Sequence, residues 1–112
     1  MRKISLKVNN KKVPILIGRE ILKTLNVGDF VSKNDVAIVT NSNIAKLFLK
    51  QTERLFKEFN VRSLILPDGE KYKNIQTLQK IYDFLIKSKL DRSATIVALG
   101  GGVIGDMVAF AA

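Results

Sequence analysis

The chain has no cysteine and no histidine. Without cysteine there are no disulfides and no thiolate metal site, which fits a reducing compartment. Without histidine there is no imidazole general base, and most catalytic zinc sites are excluded within these residues. Chemistry falls to Lys, Asp, Glu or a bound cofactor. Aromatic residues make up 7% of the chain, with no RNA-binding aromatic signature and no long Lys/Arg block, so no nucleic-acid partner is expected. No apolar run is long enough to span a membrane, and no membrane partner is expected. The opening Met1-Arg2-Lys3-Ile4-Ser5-Leu6-Lys7 alternates polar and apolar and lacks a signal-peptide core. Together these absences predict a cytoplasmic protein.

What is present is enough for a core. At 112 residues and 46% hydrophobic, the chain is one domain or part of one. Nineteen Lys and Arg against ten Asp and Glu leave a net charge of +9, which suits anionic ligands. The basic residues are scattered, and Lys46, Lys50, Lys57, Lys80 and Lys87 fall on helix faces that solvent would cover.

Ile4, Leu6 and Val8 alternate with Ser5, Lys7 and Asn9, which predicts a half-buried strand. After the polar turn Asn9-Asn10-Lys11-Lys12, Val13-Pro14-Ile15-Leu16-Ile17 reads as the second strand of a hairpin, with Pro14 indicating an edge. A short helix over residues 20–25 turns Ile21, Leu22 and Leu25 inward and is broken by Gly28-Asp29. Asp35-Val36-Ala37-Ile38-Val39-Thr40 is a continuous apolar strand, as expected where both sheet faces are covered. Ser42 or Asn43 can cap the next helix, which runs to about Phe59 with Ile44, Leu47, Phe48, Leu55, Phe56 and Phe59 as its core stripe.

Residues 61–66 form the next strand, ended by Pro67-Asp68-Gly69. Asn74 caps a helix over residues 75–89 with Ile75, Leu78, Ile81, Tyr82 and Leu85 inward. Leu90-Asp91-Arg92-Ser93 connects it to a strand at Thr95–Leu99, a glycine loop and a final helix reading from Met107, with Asp106 in its first turn. The predicted class is α/β: an N-terminal β-hairpin, then a Rossmann-like parallel sheet with crossover helices, broken off soon after the glycine-loop helix begins.

Ligands of such sheets bind beyond the carboxyl ends of the strands. Three segments fall there: Thr40-Asn41-Ser42-Asn43, residues 67–73, and Gly100-Gly101-Gly102-Val103-Ile104-Gly105-Asp106. Strand, glycine turn and helix make a phosphate-binding arrangement, because backbone N–H groups can approach an anion at a helix N-terminus. Gly100, Gly102 and Gly105 fit G-x-G-x-x-G, although a tight turn between a packed strand and helix uses the same glycines. The fingerprint normally follows the first strand of its unit, and here it follows the last strand present. No Gly-Lys-Ser/Thr follows, so a kinase-type P-loop is excluded.

In Asp68-Gly69-Glu70-Lys71-Tyr72-Lys73, Asp68 or Glu70 can accept ribose hydroxyls while Lys73 reaches phosphate as a point charge. A solvated charged turn has the same composition. Asn41 and Asn43 can hydrogen-bond a ribose or base edge, or cap a helix. Asp106 would repel a pyrophosphate, so it belongs nearer a nicotinamide, its ribose or a substrate.

Pro67-Asp68-Gly69-Glu70-Lys71-Tyr72-Lys73, followed by Ala98-Leu99-Gly100-Gly101-Gly102-Val103-Ile104-Gly105-Asp106-Met107, resembles the 3-dehydroquinate synthases of the sugar-phosphate cyclase superfamily. The likeness runs through the whole chain. It implies that residues 1–112 are an N-terminal NAD-binding domain whose C-terminal metal and substrate domain lies elsewhere. It implies cofactor contacts at Asn41, Asn43, Asp68, Gly69, Glu70, Lys73, Gly101, Gly102, Val103, Gly105 and Asp106, with Asn41 and Asn43 near the adenosine part.

The family's reaction turns an anionic sugar phosphate, 3-deoxy-D-arabino-heptulosonate 7-phosphate, into 3-dehydroquinate and phosphate on the shikimate route to aromatic amino acids. NAD is reduced and regenerated, and a zinc or cobalt ion assists. The resemblance further implies a homodimer for the intact enzyme. The family's metal ligands, a glutamate and two histidines, and its catalytic residues fall outside this chain, so no catalytic residue or metal ligand is expected here and the chain alone is expected to be inactive. The glycine loop by itself is shared with glycerol-1-phosphate dehydrogenases. That relative, a cyclitol synthase and a non-enzymatic basic binding module are the alternatives.

Overall fold

The computed structural model describes residues 2–31, 34–90 and 93–112. Asp91 and Arg92, in the connection before the last strand, and Met1 of the opening stretch lie outside the described residues.

The hairpin forms as β1 (Arg2–Val8) and β2 (Lys11–Ile17), antiparallel, with Ile4 opposite Ile15 and Leu6 opposite Val13. Asn9 and Asn10 turn the chain with φ of 49° and 66°, the two positive values a two-residue hairpin turn requires. Expected half-burial does not hold: Ile4, Leu6, Val8, Val13, Ile15 and Ile17 are all exposed. Alternation sets which side chains share a face, but burial also needs an element packed against that face.

A second sheet is parallel, in the order β4-β3-β5, with β3 (Asp35–Asn41) at its centre, β4 (Asn60–Leu66) on one side and β5 (Thr95–Leu99) on the other. The aliphatic run of β3 explains its place, because Val36, Ala37, Ile38 and Val39 are fully buried. Its alternating side chains feed two cores. Val36 and Ile38 pack with Val27, Val31 and Phe56 on one face. Val39 packs with Leu66, Ile81, Ile104, Met107 and Val108 on the other.

The first face is covered by α1 (Ile21–Thr24), a 3-10 turn at Val27–Asp29, and a helical rod made of α2 (Ser42–Ile44), a π-helical stretch (Ala45–Leu49) and α3 (Lys50–Leu55). Asn41, rather than Ser42 or Asn43, caps this rod: its side-chain oxygen accepts from the Ile44 N–H at 2.9 Å. The rod ends at Leu55, short of Phe59. Of its predicted stripe, Phe56 is buried with Leu55 and Phe59 packed against the same core, but Leu47 is 69% and Phe48 39% exposed. In the first turns the inward line runs through Ala45, Leu49 and Thr52 to Phe56, spaced four, three and four. Ala and Thr do not stand out as apolar in a pattern count. Thr52 can be buried there because its hydroxyl donates to the Phe48 carbonyl at 2.9 Å.

The other face is covered by α4 (Ile75–Lys87) and α5 (Gly102–Ala111). Asn74 caps α4 by accepting from the Thr77 N–H at 2.9 Å. Ile81 is fully buried, but Ile75 is 78% exposed. Ile75 is the first residue of α4, beside a shallow cavity of about 200 Å³ that it lines with Lys73, Asn74, Leu78, Met107 and Phe110. Helix α5 starts at Gly102, not at Met107. Burial of Ile104, 3% exposed, outweighs the poor helix propensity of the glycines. Asp106 therefore lies in the second turn, where a helix-dipole role has largely faded.

Candidate functional site

Register brings the three sequence-predicted segments to one end of the sheet. Asn41 pairs with Leu66 and Thr40 with Leu99, so the parallel strands finish level and their loops leave side by side. That end is where open α/β sheets place ligands.

Side chains tie these loops together. Asn43 donates through Nδ2 to Asp68 Oδ2 at 2.5 Å, linking the segment after β3 to the loop after β4. Lys73 Nζ donates to Asp106 Oδ2 at 2.8 Å, linking that loop to α5. Thr40 Oγ1 donates to the Leu99 carbonyl at 2.7 Å, linking the end of β3 to the residue before the glycines. The Lys73 loop is thus bonded to both others, and the ends of β3 and β5 are tied beside the glycines.

Loop conformation follows from its residues. Gly69 has φ +129°, a backbone state that L side chains rarely adopt, and it opens the 3-10 turn Glu70–Tyr72. The turn carries Glu70 and leads into Lys73, whose ammonium lies 4.0 Å from the Glu70 carboxylate as well as beside Asp106. Asp106 raises the Lys73 pKa above the ordinary lysine value, first through the hydrogen bond and then through its charge; desolvation opposes the shift, and Glu70 adds to it. Lys73 is therefore a fixed cation at neutral pH.

The glycines divide into two kinds. Gly100 has φ +152°, and a Cβ there would meet Ile104 Cγ1 at 3.2 Å, so the fold itself needs glycine at that position. At Gly101, Gly102 and Gly105 a Cβ would meet nothing within 4 Å. Nothing in the chain's own packing calls for glycine at these three positions. They surround the N-terminus of α5, where Gly101 supplies no side-chain cap. The first N–H groups of a helix have no intrahelical partner, which suits an anion, whereas the Gly105 N–H already donates to the Gly101 carbonyl at 3.0 Å.

Of the residues singled out in the sequence, Asn43, Asp68, Gly69, Glu70, Lys73, Gly101, Gly102, Val103, Gly105 and Asp106 all lie on these three loops or the first turns of α5. Asn41 ends β3, is 8% exposed and directs its oxygen to the α2 cap. Thr40 was not among them. Its signal in the sequence is a hydroxyl closing an otherwise aliphatic strand. Among the described residues, no group of three or more Asp and Glu could hold a metal ion, and no helix is long and apolar enough to cross a membrane.

Residues 63–112 match the model of the 3-dehydroquinate synthase N-terminal family. Over its whole length the chain is 43% identical to a 3-dehydroquinate synthase of Ruthia magnifica subsp. Calyptogena magnifica, covering 32% of that protein. It is 41% identical to the one of Hydrogenovibrio crunogenus, again covering 32%. The chain spans about a third of the length of these curated relatives. A solved structure of 2-deoxy-scyllo-inosose synthase, complexed with carbaglucose-6-phosphate, NAD+ and Co2+, matches 99% of this chain and 31% of its own with a TM-score of 0.86. At 21% identity that likeness concerns the fold. In sequence, the chain is similar to these 3-dehydroquinate synthases over its whole length, and its residues 63–112 are similar to the family's N-terminal model.

Proposed function

We propose, from this kinship, that the chain is the NAD-binding part of a 3-dehydroquinate synthase. The observation that carries the reading is the set of Gly101, Gly102 and Gly105, whose missing side chains leave space that no protein atom fills. A pyrophosphate approaching the α5 N-terminus accounts for all three. NAD, when bound, supplies reversible acceptance of a hydride from a substrate hydroxyl.

Each residue then has a role set by its chemistry. Backbone N–H groups of Gly102 and Val103 donate to pyrophosphate oxygens. Lys73 brings a positive charge to the same anion, and Asp106 orients it. Asp68 and Glu70 accept ribose hydroxyls, with Gly69 permitting the turn between them. Asn43 steadies Asp68, and Asn41 and Asn43 border the adenosine side. With its charge shared with Lys73, Asp106 sits on the side of the pyrophosphate toward the nicotinamide ribose. A zinc or cobalt ion does not fit this set, because no three possible ligands converge among the described residues. In the longer protein these residues would serve the step that releases phosphate from 3-deoxy-D-arabino-heptulosonate 7-phosphate.

Calorimetric titration of the chain with NAD tests the reading. Weak but saturable binding is expected, lost in Lys73→Ala and in Gly102→Val, while thermal melting of both variants stays close to the parent. Absence of saturable binding by the parent chain overturns it. No 3-dehydroquinate formation is expected from the chain alone.

A further inference from the structure

We propose that Thr40 is a positioning residue for the glycine loop, holding the backbone that leads to Gly101 and Gly102 in its ligand-ready place. The proposal rests on the nucleotide-binding reading of that loop and adds to it a residue that touches no ligand. Thr40 is fully buried, and it follows the aliphatic run Val36-Ala37-Ile38-Val39 at the centre of the sheet. Valine has nearly the same shape, so packing alone does not explain a hydroxyl in that place. A buried hydroxyl needs a partner, and this one donates to the Leu99 carbonyl at 2.7 Å.

Leu99 is the last residue of β5, directly before Gly100. Three glycines in a row, Gly100, Gly101 and Gly102, separate it from the body of α5 and have wide conformational freedom of their own. The strand end is the near anchor of that loop, and packing of Ile104 beneath Gly100 is the far one. Only two residues lie between the carbonyl that Thr40 holds and Gly102. Rotation of the Leu99 peptide would therefore redirect the N–H groups offered to an anion. Asn41, next in sequence, caps α2, and Asn43 holds Asp68, so the segment that begins at Thr40 sets the spacing of all three loops.

The test uses Thr40→Val, Thr40→Ser and Thr40→Ala in the full chain, with NAD as the probe. Thr40→Val is expected to melt somewhat below the parent, the cost of the bond to the Leu99 carbonyl, and to bind NAD about five- to tenfold more weakly because the loop is no longer held in place. Without ligand, the Gly105 amide, which donates to the Gly101 carbonyl at 3.0 Å, is expected to exchange faster, while those of Val36, Ile38 and Val39 stay protected. Serine and alanine both lack the threonine methyl, so comparing them isolates the hydroxyl even if the valine variant folds poorly. Serine should restore affinity and loop protection, and alanine should not. Equal loop exchange in the parent and Thr40→Val, or in the serine and alanine variants, overturns the proposal. If the parent takes up no NAD, the nucleotide reading fails, and the exchange measurements still decide the role of Thr40.

Discussion

At the scale of single residues, glycine has two meanings within one loop, and substitution separates them. Gly100 combines φ +152° with Ile104 in the path of a Cβ, so Gly100→Ala should destabilise the fold by about 1–3 kcal/mol in urea unfolding. Gly105 sits inside α5 with open space where its Cβ would be. Gly105→Ala should therefore stabilise the fold by about 0.5–1 kcal/mol, the ordinary helix preference for alanine. A stabilising substitution that also weakens NAD binding would mark a glycine kept for the ligand. Lys73 offers a pH test. Its pKa is raised in the folded state, so its contribution is complete below the unfolded lysine value and is lost as pH rises through the folded one. Asp106→Asn removes the main cause, and the Lys73 pKa read by NMR should fall toward the ordinary lysine range. An unchanged value would mean that the 2.8 Å contact does not govern it.

At the scale of elements, the strands and the Asn74 cap were plainer in the sequence than helix faces or the α2 cap, which falls on Asn41 and not on Ser42 or Asn43. The strands of the parallel sheet stand out as β-branched runs bounded by polar residues, and Asn74 precedes an apolar periodicity, so these were legible. Asn74 accepts from the Thr77 N–H and donates to the Lys71 carbonyl at 3.1 Å, joining the start of α4 to the Lys73 loop. Asn74→Ala should cost about 1 kcal/mol in urea unfolding, with no change in the cooperativity of the transition. A loss well below that would show that solvent satisfies the first turn of α4 equally well. The inward faces were harder to read. Burial of Thr52 depends on what lies across the helix, and it is admitted only because Phe48 supplies an acceptor. The α5 start was hidden for a related reason: Gly102 and Gly105 suggest loop by propensity, and only the packing of Ile104 makes them helical. Of the candidate site, the loops and their residue types were legible. The Thr40–Leu99 bond was not, because it joins residues far apart in the chain through a parallel pairing that no local pattern announces.

At the scale of the molecule, stability is unevenly spread, and the hairpin is its weak end. The six aliphatic residues Ile4, Leu6, Val8, Val13, Ile15 and Ile17 share one face by register, bordered by Arg2 and Lys11, with Lys3, Lys7, Lys12 and the half-buried Leu16 on the other. That is the pattern of a sheet with one buried side, yet all six are exposed, and no element among the described residues covers them. A two-stranded hairpin without a packed face is marginal in water. Strand β3 is the opposite case, flanked by strands on both edges and by helices on both faces, with Val36, Ala37, Ile38 and Val39 at zero exposure. Amide exchange should therefore grade along the chain. Residues 2–17 should open with a free energy near zero, and β3 amides should exchange only through global unfolding. Mass-spectrometric exchange in dilute, low-salt buffer checks this directly. Slow exchange in the hairpin at micromolar concentration, lost on dilution, would mean that another copy covers the aliphatic face. Slow exchange independent of concentration would mean that the hairpin is stable by its own cross-strand pairs, contrary to the marginal stability argued from its exposure.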